Sequence, residues 1–337
     1  MHNRFLITAI LLIVGAVPSL ASANSNNSEK SLSQIAIAAE KIASKYHEMG
    51  RFSGTLLLAK DGQVFFDASF GYEDKNKKRD NSIDTKFALG SIAKNYTKVL
   101  IFQQLALGKL SLDDTIVNYE LGFPTEISSK VTIQDLLNHR SGFADIFTAE
   151  YRENQLAFDT LEKKLQLLVG EPLLFKPDTD YRYSNYGYIV LGVILERTTK
   201  QSFEDVLKKN IFERIELKNT SFKVDNKAKH QSSRYSYLYD GSLVEVGVTE
   251  HSSPDGGIES TVKDVHKFYR ELFYGSSLLD RSNPIVKEAF NMSGEHWMAF
   301  GGGTGVSAAV EINLVDGFEI IVLANTDKLG RVDLCCT

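Results

Sequence analysis

Two strand–turn–strand signals stand at opposite ends of this 337-residue chain, and between them the pattern is mainly helical. Residues 52–59 and 64–70 are apolar runs around Lys60-Asp61-Gly62, and residues 306–314 and 318–325 flank Val315-Asp316-Gly317. Asp-Gly between two apolar runs is a strong hairpin signal. An isolated hairpin is marginal in water and needs further strands or a packed helix. The pattern therefore predicts an α+β fold, with one antiparallel sheet built from the N- and C-terminal segments and flanked by helices. A large, mainly helical insertion would occupy about 85–250. Helical periodicity marks 31–49, with Ile35, Ala38, Ile42 and Tyr46 on one stripe, and further helices are read at 91–107, 132–138, 161–169 and 186–199. No Pro/Gly/Ser-rich linker divides residues 31–337, which read as a single domain.

The first residues carry a different signal. His2 and Arg4 precede an uncharged apolar run from Phe5 to Val17, and Ala21-Ser22-Ala23 is a small-residue cleavage site. That architecture predicts a signal peptide over 1–23 and an exported, periplasmic or secreted protein. The apolar run is short for a membrane span, and no later run is long enough to make one. Residues 24–30, rich in Asn and Ser, read as a disordered leader. Cys335 and Cys336 are adjacent, a strained geometry for an ordinary disulfide, and are given no catalytic role. A net charge of -5, with both signs scattered, gives no footprint for nucleic acid. The expected partner is a small-molecule or peptide substrate, and the oligomeric state is not encoded.

The chemistry rests on three elements. Ser91-Ile92-Ala93-Lys94 opens an apolar helix, where residues three apart share a face and a serine hydroxyl can meet an amine. Ser-x-x-Lys is short, and a second copy, Ser260–Lys263, reads as the N-cap of an amphipathic helix. The second element is Tyr183-Ser184-Asn185, the one Tyr-x-Asn of the chain. Its phenol can transfer protons, and its amide can hold a substrate carbonyl or Lys94. Taken alone, Asn185 could equally cap the following helix. The third is Gly301-Gly302-Gly303-Thr304-Gly305, leading into a strand, where backbone amides can approach a substrate closely. One such amide, with that of Ser91, would make an oxyanion hole. There is no Gly-x-Ser-x-Gly, no His-Glu-x-x-His and no Walker-type loop. The seven histidines are scattered, so neither a metal nor an organic cofactor is expected.

Taken with their order, these motifs resemble those of the serine β-lactamase and penicillin-binding-protein superfamily, in its class C-like branch. The resemblance runs from about residue 52 to 325. It is carried by Phe52-Ser53-Gly54, the run Phe87-Ala88-Leu89-Gly90-Ser91-Ile92-Ala93-Lys94, the segment 108–114, Leu136-Leu137-Asn138-His139-Arg140-Ser141-Gly142, Tyr183-Ser184-Asn185, Gly256-Gly257-Ile258-Glu259-Ser260-Thr261 and the glycine run. It implies that Ser91 is the acylated nucleophile, that Lys94 assists its deprotonation, and that Tyr183 is the general base or proton relay. It also implies that Asn185 orients substrate and lysine, with Gly302, Gly303 and Thr304 lining the substrate site. His139 reads as a packing or hydrogen-bonding residue. The implied activity is a serine hydrolase cleaving an ester, an amide or a β-lactam, with peptidoglycan-related peptides among the candidates. The alternative is a catalytically weak protein that keeps the fold and binds cell-wall peptides.

Two departures stand out. The family's third motif carries Lys or His before the glycines; here Phe300 fills that slot in sequence alignment, and His296 is wrongly spaced. This points away from substrates with a free carboxylate. The family also closes with a long helix on the sheet, whereas a short polar tail follows Asn325, so one sheet face is expected to be partly uncovered.

Overall fold

The computed structural model describes residues 25–223, 229–238 and 240–327. The expected signal peptide, Asn24, the cysteine pair and the tail beyond 327 lie outside the described residues.

Both turn signals act as read. Strands β1 (Gly54–Lys60) and β2 (Gln63–Phe70) meet at Asp61-Gly62, both with positive φ, the geometry that matches strand twist in a two-residue hairpin. At the other end, β3 (His296–Gly303), β4 (Val306–Asn313) and β5 (Phe318–Ala324) form a meander. The five strands make one antiparallel sheet in the order β2-β1-β5-β4-β3. The two ends of the chain join where β1 pairs β5, from Gly54 opposite Ala324 to Lys60 opposite Phe318. The two turns touch as well, Asp61 N donating to Gly317 O at 2.8 Å. β3 was not anticipated as a strand, because its glycines and polar His296 hide the alternation that strands show on a half-buried face.

Each side of the sheet is covered. On the outer face lies α1 (Ser25–Glu48), whose Ile35, Ala39 and Ala43 pack with Leu56, Leu58, Ile320 and Val322. This corrects three expectations. The buried stripe runs through Ala39 and Ala43 rather than Ala38, at the i, i+4 spacing of a helix face. The helix reaches back to Ser25, so residues 25–30 have helical backbone rather than being an unstructured leader; a packed helix propagates at little further cost per residue. The expected uncovered face is absent across β1 and β5, where these four residues are at most 2% exposed. The two edge strands keep exposed apolar side chains, Val64 on β2 and Met298 on β3.

On the inner face sits the larger core. α2 (Ala93–Ala106) and α3 (Asn185–Thr199) are buried on more than one side, as their near-continuous apolar sequences require. α4 (Val262–Tyr274) packs on the sheet and on α2, with Phe268 stacked on Tyr96 of α2 at 3.7 Å and Tyr269 against Trp297 of β3. Its N-cap is Thr261, whose hydroxyl accepts from Asp264 N. Ser260, expected as the cap, lies in a two-residue strand and is fully buried. The insertion also holds a small hairpin, Arg234–Tyr237 with Leu243–Val246, that was read as helical territory.

Candidate active site

The sequence places Ser91 where two layers meet. It lies in a 3-10 turn, Gly90–Ile92, that leads directly into α2, so the side chain stands at the helix entrance rather than inside it. Leu89 N donates to Ile258 O, tying the turn to the segment before α4. Lys94, one turn on, is 6% exposed and donates to Ser91 Oγ at 3.2 Å, to Asn185 Oδ1 at 2.7 Å and to the Asp255 carbonyl at 2.7 Å. All three donor directions of the ammonium are thus used.

Tyr183 arrives from the loop before α3, and its hydroxyl donates to Ser91 Oγ at 2.8 Å. The Lys94 ammonium lies 5.1 Å from the Tyr183 ring centroid. Tyr183 is 42% exposed, so its hydroxyl joins the buried lysine to the open cleft. Ser184, not Asn185, caps α3, accepting from Gly187 N at 3.3 Å. The Asn185 side chain is thereby left for the site. Asp145 fixes it, accepting from Asn185 N at 2.9 Å and from Asn185 Nδ2 at 3.0 Å, which turns the amide oxygen toward Lys94. Burial, opposed in part by these bonds, holds the Asp145 carboxyl above its usual range.

His139 has a left-handed backbone, φ 58°, and its Nδ1 accepts from Ser184 N at 3.3 Å. Its ring lies 4.4 Å from that of Tyr183 and 5.3 Å from that of Tyr188. Burial first, then the Lys94 charge, brings the imidazole down to about 4, so at neutral pH it is an uncharged packing surface for Tyr183.

The opposite wall is β3. Gly301 is forced by proximity: a Cβ there would stand 1.9 Å from Leu89 O and 3.2 Å from Ser91 N. Gly302 N lies against the same turn, 2.8 Å from where a Gly90 Cβ would be. The amides of Ser91 and Gly302 are therefore neighbours, the arrangement an oxyanion hole needs. Gly303 closes the strand and Thr304 lies in the β3–β4 turn, both exposed; the contacts to the Ser91 turn come from Gly301 and Gly302.

The cation slot reads differently in three dimensions. Phe300 pairs with Ala309 and packs with the outer cluster beneath α1, away from the face that carries Ser91. Strand alternation puts Ala299 and Gly301 on the inner face instead, and Ala299 packs with the inner core. The position ahead of the glycines thus presents a methyl group. His296 sits at the far end of β3, paired with Glu311.

Asp145 and the Asp255 carbonyl were not singled out in the sequence, because each meets its partner across 40 or more residues. Among the described residues no group of three or more His, Cys, Asp or Glu is placed to hold a metal ion, and no helix is long and apolar enough to cross a membrane.

Residues 39–328 match the beta-lactamase family model. The chain is 27% identical over 300 residues to protein flp of Staphylococcus aureus, covering 81% of this chain and 59% of that one. It is 29% identical over 247 residues to penicillin-binding protein 4* of Bacillus subtilis, covering 67% of this chain and 53% of the relative. It thus spans less than two thirds of the length of either. Among solved structures, a penicillin-binding protein from Bacillus halodurans superposes with a TM-score of 0.75 at 24% identity, covering 85% of this chain and 95% of that one.

Proposed function

Since the chain belongs to the beta-lactamase family, whose fold carries serine hydrolases, we propose that it is an exported hydrolase working through an acyl-enzyme on Ser91. The observation that carries this reading is one atom's surroundings: Ser91 Oγ lies at hydrogen-bonding distance from both the Tyr183 hydroxyl and the Lys94 amine. A serine with two proton-handling groups on its oxygen is an activated nucleophile. Export rests on the signal-like segment 1–23.

The steps follow from the geometry. Ser91 Oγ forms a bond to the substrate carbonyl carbon as its proton passes to the Tyr183 oxygen and the Tyr183 hydroxyl proton moves toward the leaving group. The carbonyl oxygen becomes an oxyanion against the Ser91 and Gly302 amides. Collapse breaks the bond to the leaving group, which takes the proton from Tyr183. Water then gives a proton to Tyr183 and its oxygen to the acyl carbon, and Ser91 departs with the proton returned. Lys94 holds Ser91 and Asn185 in register throughout.

The substrate class we propose is an ester or amide, including peptide-like acyl groups, without a free carboxylate next to the scissile bond. Ala299 on the inner face of β3 supports this, since it offers a carboxylate no charged partner. The test is burst-phase hydrolysis of a p-nitrophenyl ester beside Ser91→Ala, with intact-mass detection of the adduct. The expected result is a burst near one equivalent, lost in the variant with a fall of about 10³-fold or more in kcat/KM. Equal slow rates and no adduct with esters or a chromogenic cephalosporin would instead favour a binding protein that keeps the fold.

A further inference from the structure

Behind Lys94 lies a second lysine that the reaction steps do not use. Lys164, on the helix Leu161–Gln166, is 2% exposed, and its Nζ donates to His251 O at 2.8 Å. Its charge is felt by the carboxylates of Asp255 and Glu250, while burial pushes its own amine down. The Tyr151 ring lies 5.9 Å from Nζ, and the Tyr151 hydroxyl donates to Glu250 at 2.9 Å. His251 and Asp255 belong to one loop, 250–257, which also supplies the carbonyl that Lys94 bonds.

That loop is clamped at several points. Thr97 of α2 donates to Pro254 O at 2.6 Å, and Ser253 Oγ donates to the Asp255 carboxylate. Ser253 and Gly256 exchange backbone bonds. Pro254 presses on α3 where a Cβ at Gly192 would stand 2.2 Å away, so only glycine admits the loop there. The His251 ring donates to Leu156 O at 3.2 Å. Among the described residues Lys94 and Lys164 are the two lysines whose ammonium groups bond the backbone of this loop, at Asp255 O and His251 O.

We infer that Lys164 is a positioning residue for the hydrolase reaction: its buried ammonium holds the 250–257 loop so that the Asp255 carbonyl stays on Lys94. This rests on the serine-hydrolase reading of the site. Two lysines, Lys94 and Lys164, then stand among three carboxylates: Asp145, which holds Asn185, and Asp255 and Glu250 of the loop. Arg234 also acts on Glu250, and Asp255 acts on Asp145. Removing the Lys164 charge, which acts on Glu250 with that of Arg234, leaves the neighbouring groups in a more negative surrounding that favours their protonated forms. Whichever of them sets the acid limb of the rate profile, the limb moves to higher pH.

The experiment measures kcat and KM for a p-nitrophenyl ester from pH 4.5 to 9 in wild type, Lys164→Met, Lys164→Arg and Ser91→Ala, in the full chain. Lys164→Met should lower kcat about tenfold with KM within about twofold, and move the acid limb of kcat/KM up by about one pH unit. Lys164→Arg keeps the charge and should return the limb to its wild-type position. A folded Lys164→Met with unmoved kcat and limb, or a limb displaced equally in Lys164→Arg, overturns the inference. Should Lys164→Met not fold, Glu250→Gln tests the same field with opposite sign: the limb should move down, and an unmoved limb overturns the inference. Ser91-dependent turnover with unmoved limbs removes only this inference. No Ser91-dependent turnover or labelling in wild type removes the hydrolase reading and this inference with it.

Discussion

The two walls of the cleft are built from different materials. The α2/α3 wall is made of side chains: Ser91, Lys94, Tyr183, Asn185 and Asp145 form a connected chain of hydrogen bonds, with Lys94 and Asn185 each bonded to more than one neighbour. The β3 wall is backbone and methyl group: Ala299, Gly301 and Gly302, with the large Phe300 turned outward. In the proposed reaction the first wall handles protons and the second holds the carbonyl oxygen. Ala299, Gly301 and Gly302, the residues named on the β3 wall, carry no charge. On the proposed reading the side-chain wall serves the chemistry and the β3 wall the fit of the substrate, and single substitutions should separate the two.

The strongest break is on the side-chain wall. Tyr183→Phe removes the proton relay and keeps the ring against His139, so kcat should fall about 10²–10⁴-fold with little change in KM. Stopped-flow acylation rates would show it; a variant near wild type would hand the base role to Lys94. Next comes the backbone wall. Gly301→Ala introduces a methyl group where Leu89 O stands 1.9 Å away, so the strand must move off the Ser91 turn. A displacement near 1 Å should lower kcat/KM about 10²-fold. Unchanged kinetics would mean that β3 does not hold the oxyanion.

A smaller effect sharpens the comparison. Ala299→Lys puts a cation on the inner face and should shift selectivity about three- to tenfold toward esters bearing a carboxylate, an effect of about 1 kcal/mol. Phe300→Lys, on the outer face, should leave selectivity unchanged and lower stability instead. The reverse pattern would return the slot to Phe300. The smallest effect is one of stability against pH. His139 titrates near 4 when folded and near 6.5 when unfolded, so the unfolded chain binds more protons between those values. Stability gained from keeping this ring neutral is present above pH 6.5 and lost as pH falls toward 4. His139→Asn, which tolerates the left-handed backbone, should flatten the decline in Tm by a few degrees.

Much of this was legible because it is local. A turn pair such as Asp61-Gly62 declares itself within four residues, and Ser91–Lys94 and Tyr183–Asn185 are spaced to share a face or a loop side. What escaped notice depends on distance or direction. Asp145 reaches Asn185 across the core, and the Asp255 carbonyl meets Lys94 after a chain separation of 161 residues. The slot was assigned to Phe300 by position along the chain, but which face Phe300 occupies is decided by pairing with Ala309 and Gly301's contact with Leu89, neither of which a linear alignment contains. The start of α1 at Ser25 escaped because a polar Asn/Ser run carries no apolar stripe.

The pairing of β1 with β5 also orders events in time. Ser91 and Lys94 lie in a turn and helix that local contacts can form early, whereas β3 and β4 find a place in the sheet only through β5, and β5 meets β1 across more than 250 residues. Closing so long a loop is entropically unfavourable and slow relative to helix formation. During folding the proposed nucleophile is therefore expected to take its place before the proposed oxyanion hole. A growing chain would carry an unarmed serine until its last strands settle, and activity would report completion of the sheet rather than formation of the helix.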